Sequence, residues 1–251
     1  MSRIEAGARD APPREEGMLG QWAKAMLDAL EAEWHNEAAP PELAHADPLE
    51  GLVLTVLSQN TNDRNRDAAF ARLVERFLAP APDAQAGWEA VVETGASALE
   101  DAIRPAGLAP TKAARIIEIL QIVRRDMGGY SLLPLADREP EAVRAYLTSL
   151  PGVGAKTAAC VMLFDMGMPA FPVDTHIARI SRRVGLVPPR MSPDDISETL
   201  ERIVPPARWL GAHVNMIVHG RAVCRARGPR CETCAISHLC EEGRATALAR
   251  G

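Results

Sequence analysis

Apolar positions fall at helical spacing along most of the chain. Leu19, Trp22, Met26, Leu27 and Leu30 share one face of a helix predicted over 18–34. Residues 49–58 are apolar nearly all round and predict a buried helix. Gln59-Asn60-Thr61-Asn62-Asp63 interrupts it. Asn62 or Asp63 is suited to cap the next helix, which runs through Phe70, Leu73, Val74 and Phe77 and ends before Pro80 and Pro82. Two short helices are expected over 85–93 and 96–103, then a turn over 104–108. Thr111 is the expected cap of a long helix through Ile116, Ile119, Leu120 and Val123, stopped by Gly128-Gly129. Val143, Leu147 and Leu150 give a further helix over 139–149. Others are predicted over 155–166, 175–184, 194–204 and 208–221. Strand-like alternation is scarce, so the predicted fold class is all-α. The polar stretch 1–17 reads as a disordered or loosely attached tail and 38–47, with Pro40 and Pro41, as a linker.

Composition narrows this picture. A chain of 251 residues, 47% apolar, can bury a full core in one large domain or two small ones. No apolar run reaches the length of a membrane span, and the acidic start lacks a signal-peptide pattern, so no membrane association and a cytoplasmic location are expected. The net charge of −5 is unevenly spread: −7 over 1–50, −2 over 51–140 and +4 over 141–251. Binding to a polyanion needs a basic face rather than a basic protein. The positive share lies in the part of the chain that carries the motifs.

The first motif is Leu150-Pro151-Gly152-Val153-Gly154-Ala155-Lys156-Thr157-Ala158, a glycine-punctuated turn opening a helix. Gly152 and Gly154 permit positive φ and close approach of another backbone. Amides at the start of the following helix suit a phosphate. With helices on both sides, about 140–166 forms a helix-hairpin-helix pattern, a sequence-independent grip on DNA. Lys156 is either a solvated side chain or, when neutral, a nucleophile. Downstream, Val173-Asp174-Thr175-His176 precedes a helix. Asp174 can serve as its N-cap, as an ionised carboxylate that stabilises developing positive charge, or as both. His176 is structural or phosphate-facing.

The second motif is Cys224, Cys231, Cys234 and Cys240, spaced C-x6-C-x2-C-x5-C. A disulfide pair is disfavoured without an export signal. Four thiolates suit structural zinc or an iron–sulfur cluster, and the residues alone leave both open. Cys160, on an apolar helix, reads as a small core residue.

The hairpin with its lysine, the Val-Asp-Thr-His segment and the cysteine spacing together resemble the endonuclease III branch of the helix-hairpin-helix DNA glycosylases, over roughly 49–240. The resemblance implies two helical lobes with DNA between them. One is a six-helix barrel lobe over 41–168 that carries the hairpin; the other, 18–40 plus 169–251, is built around a 4Fe-4S cluster held by the four cysteines. It implies that Lys156 attacks C1′ of the damaged nucleotide, giving a Schiff base and then β-elimination, with Asp174 assisting. Gly152, Val153, Gly154 and His176 fall in its DNA-binding positions, and Arg225, Arg227 and Arg230 lie in a loop that approaches the DNA backbone. Two wedge residues fill the gap left by a flipped base. Leu108 matches the leucine wedge. The glutamine wedge aligns with Asn60, a departure from the family pattern, with Gln59 adjacent. The implied activity is that of a monomeric, bifunctional glycosylase and abasic-site lyase acting on oxidised pyrimidines in double-stranded DNA. The alternatives are a monofunctional mismatch glycosylase for uracil, thymine or adenine, and a non-catalytic lesion-binding protein. The adenine enzyme is disfavoured by the presence of Lys156.

Overall fold

The computed structural model describes residues 16–34 and 44–248. Every regular element among them is helical. The expected tail over 1–17 and linker over 38–47 lie largely outside the described residues. Of the tail, Glu16 and Gly17 are described and belong to a helix; of the linker, 44–47 are described as bends. The chain divides into two compact units, Pro40–Pro172 and Met1–Ala39 with Val173–Gly251. No helix among the described residues is long and apolar enough to cross a membrane.

Helix α1 spans Glu16–Trp34 and belongs to the second of these units. The first unit begins with α2, Pro48–Ser58, whose N-cap Asp47 accepts from the Leu49 amide at 2.9 Å and from the Leu132 amide at 3.0 Å. Helix α3, Asp63–Leu73, is capped by Asn62, as the sequence suggests. It passes into a π-helical turn, Val74–Leu78. Then come α4, Ala84–Thr94; α5, Ala96–Ile103; α6, Ala109–Met127; α7, Pro140–Ser149; and α8, Ala155–Asp165. Thr111 is not the cap of α6. Leu108 takes the cap position and the helix starts three residues earlier, because Pro110 is favoured in a first turn, where its missing N–H would have had no partner. Leu52, Val56, Leu73, Trp88, Leu99 and Ile116 are among the fully buried residues of this unit's core.

Helix α8 is buried on most sides and lies closely against α2. A Cβ on Gly51 of α2 would fall on the carboxylate of Asp165. That carboxylate bonds His45 Nδ1 at 2.7 Å; burial raises its pKa while the imidazole opposes the rise. Gly51→Ala should therefore overpack the α2–α8 contact and destabilise the protein by about 2 kcal/mol, readable as a fall in Tm.

In the other unit α9 spans Thr175–Val184, α10 Pro193–Ile203, α11 Trp209–Ala222 and α12 Glu241–Leu248. Helix α1 packs on α10 and α11, and α9 packs on α11 and α12. Trp22 Nε1 donates to Val184 O at 3.3 Å, and Trp34 Nε1 to His219 Nδ1 at 3.4 Å. Helix α12 was not expected from the sequence. Its eight residues are too few to show a helical period, and its acidic first turn is its main local signal.

Candidate active site and nucleic-acid interface

The hairpin is built as its glycines suggest, with one difference. Leu150 and Val153 are buried and anchor the turn, and the Val153 amide donates to Leu150 O at 3.1 Å. Gly152 adopts φ +69°, and a Cβ there would fall on the Arg115 guanidinium. Gly154 is extended at φ −91°, with open space where a Cβ would go. Only Gly152 therefore needs a positive φ; Gly154 is bare and faces open space. No side chain caps the N-terminus of α8, so its first amides remain open to an acceptor. The Val153 side chain is buried, so a DNA contact there would have to come from its backbone.

These roles are separable. Gly152→Ala should lower both Tm and duplex affinity, because a left-handed φ costs a non-glycine residue about 1–2 kcal/mol and Arg115 must move. Gly154→Ala should weaken duplex binding while costing no more than about 1 kcal/mol of stability. Thermal melts and binding isotherms on the two variants check this.

Lys156 is the second residue of α8 and is exposed. The next residue, Thr157, is buried and its Oγ1 lies 3.4 Å from Gln59 Nε2. Gln59 Nε2 also donates to Gly152 O at 3.1 Å, while Gln59 Oε1 accepts from Arg115 Nη1 at 2.8 Å. Gln59 thus braces the hairpin. Asn60 beside it is exposed and left-handed at φ 54°. Leu108 is left-handed as well, at φ 49°, and 60% exposed. Among the described residues these are the two non-glycine positions with positive φ.

Asp174 lies in the other unit and is the N-cap of α9. Its Oδ1 accepts from the amides of His176 and Ile177, both at 2.8 Å. His176 packs against α11: a Cβ on Gly220 would lie 2.7 Å from the His176 Cβ. His176 Nδ1 lies 3.0 Å from Arg179 Nη2. Sequence reasoning missed what α9 does next. Arg179 donates to Cys224 O and Gly220 O, both at 2.9 Å, and Arg183, one turn on, donates to Arg225 O at 2.7 Å. Two arginines at i, i+4 after the Val-Asp-Thr-His segment were the available signal.

The four motif cysteines line one cavity with Arg183, His219, Pro229 and Ile236. Burial pushes the Cys234 thiol up to about 11 and raises Cys240 as well, and their neighbouring sulfurs add to both shifts. His219, fully buried beside Cys234, is pushed by burial down to about 4 and stays neutral. The Gly243 amide donates to Cys240 Sγ at 3.4 Å. Sulfurs that repel one another across one cavity suit a cationic metal group that makes them thiolates. Among the described residues no three His, Cys, Asp or Glu are placed to hold a single metal ion. Cys160 is buried on α8, away from this set in the chain.

Residues 53–206 match the model of the HhH-GPD superfamily of base excision DNA repair proteins. The chain is 36% identical to Endonuclease III of Thermotoga maritima over 202 residues, covering 80% of this chain and 86% of that protein. It belongs to the endonuclease III family. Endonuclease III of Escherichia coli K12 is 33% identical over 207 residues, covering 82% of this chain and 90% of the relative. A solved structure of a trapped covalent intermediate between an endonuclease III and DNA superposes with a TM-score of 0.74 at 32% identity, covering 91% of this chain and 98% of that one. Membership of the endonuclease III family makes the protein a DNA-binding DNA glycosylase of base excision repair.

Proposed function

We propose that the protein is a bifunctional glycosylase and abasic-site lyase that removes oxidised pyrimidines from duplex DNA. The observation that carries this reading is the placement of Lys156, exposed in the first turn of α8, directly after the hairpin. A similar endonuclease III was captured as a covalent intermediate with DNA. Such a link needs a nucleophile, and a lysine amine is one. In this reading the neutral Lys156 amine attacks C1′ and the base departs. The sugar ring opens to a Schiff base, and loss of a C2′ proton cleaves the strand on the 3′ side. Asp174 supplies negative charge for the oxocarbenium character that develops at C1′. Asn60 and Leu108 enter the space of the flipped nucleotide, while Gly152 and Gly154 receive the backbone through their amides, Val153 anchors the turn between them from inside, and His176 holds the start of α9. The protein acts as a monomer.

Cys224, Cys231, Cys234 and Cys240 hold a 4Fe-4S cluster in this reading. Its contribution is to cross-link the loop over 224–240. Cys234→Ser should lose the broad visible absorption of the purified protein and lower its Tm; a colourless wild type with stoichiometric zinc would overturn the assignment.

The test of the activity is a duplex with one thymine glycol. Released base, a cleaved strand with a 3′ unsaturated aldehyde, and a borohydride-trapped protein–DNA adduct are all expected. Base release without cleavage would point to a monofunctional enzyme, and binding without release to a lesion-binding protein.

A further inference from the structure

We propose that Lys112 is a positioning residue that locks the two wedge loops to each other, so that Asn60 and Leu108 meet the duplex as one element. The inference rests on the wedge roles assigned to those residues under the proposed function.

Lys112 lies in the second turn of α6 and is 2% exposed. Its Nζ donates to Leu57 O at 2.7 Å and to Ala106 O at 2.9 Å. Its amide donates to Leu108 O at 3.0 Å. One residue therefore ties down three carbonyls. Leu57 sits in the last turn of α2, three positions before Asn60. Ala106 and Leu108 flank Gly107 on the other loop. The Leu57 carbonyl belongs to the set that a helix leaves without intrahelical partners at its C-terminus, where a cation is also favoured by the helix dipole.

A buried ammonium is costly, and burial pulls its pKa down with Arg115 adding to the effect. An apolar side chain would fill the same space without that cost. What the ammonium adds is two charge-assisted bonds to two different loops. Those loops need fastening from outside, because each holds a non-glycine residue at left-handed φ. Arg115, one turn further along α6, bonds Gln59 next to Asn60 and extends the same fastening towards the hairpin.

A wedge that is loosely held should fail mainly when it must displace a stacked base. An abasic site has no base to displace. For Lys112→Met, excision from a thymine glycol duplex should fall about 100-fold, the scale at which displacements near 1 Å act. Incision at a pre-formed abasic site should fall several times less. Amide hydrogen exchange in the free protein should quicken over 57–62 and 106–109 and stay unchanged over 151–154. Lys112→Gln keeps a donor on a shorter stem and should fall between wild type and Met in all three measurements; it also serves if the Met variant folds poorly. Equal losses on both substrates, or unchanged exchange in both loops, would overturn the clamp. Should the wild type excise no lesion, the proposed function fails, and the exchange comparison still decides the clamp.

Discussion

Lys156→Ala binds a duplex containing an abasic site but gives no borohydride-trapped adduct, and its strand cleavage falls by about 10⁴-fold or more, the scale seen when a covalent nucleophile is removed. The side chain is exposed on a helix whose core face lies elsewhere, so the change should alter stability by no more than about 0.5 kcal/mol. A melt matching the wild type then assigns the loss to chemistry. Lys156→Arg separates charge from nucleophilicity: the guanidinium keeps the positive charge beside the open amides of α8 but forms no Schiff base. Affinity should be preserved in Arg, somewhat reduced in Ala, and trapping abolished in both. An adduct of wild-type yield in either variant would move the nucleophile to another amine.

Asp174→Asn should separate two roles that one side chain combines. Asparagine caps a helix about as well as aspartate, so the bonds to the His176 and Ile177 amides survive and stability changes by no more than about 1 kcal/mol. The negative charge is gone, and excision should fall about 10²–10³-fold, as when one electrostatic stabiliser of a transition state is lost. Asp174→Ala removes the cap as well and should show both the rate loss and a lower Tm. If Asn retains full activity while Ala loses it, Asp174 acts only as a cap.

Much of this was legible in the sequence because the signals are local. Asn62 and Asp174 announce helix starts by capping chemistry, and the turn at 150–154 is written in its glycines. The cysteine spacing and the lysine after the hairpin carried the family. What escaped involves partners distant along the chain. Nothing near Gln59 says that its amide will hold Gly152, 93 positions away. Arg179 and Arg183 look like ordinary surface arginines until the carbonyls of 224 and 225 come to rest against them. Burial of Lys112 runs against the usual place of lysine, and only the two carbonyls it reaches explain it. The extended φ of Gly154 was missed for another reason: a glycine advertises freedom without saying whether it is used.

Helix α9 begins at the Asp174 cap and, within 10 residues, supplies both arginines that hold the cysteine loop. If the four cysteines hold the proposed cluster, a preparation short of iron should therefore not contain a slow but otherwise normal enzyme. With the loop unfastened, the carboxylate at the head of the same helix loses its support. Batches purified with different iron contents should differ in the number of working molecules, each turning over at one common rate.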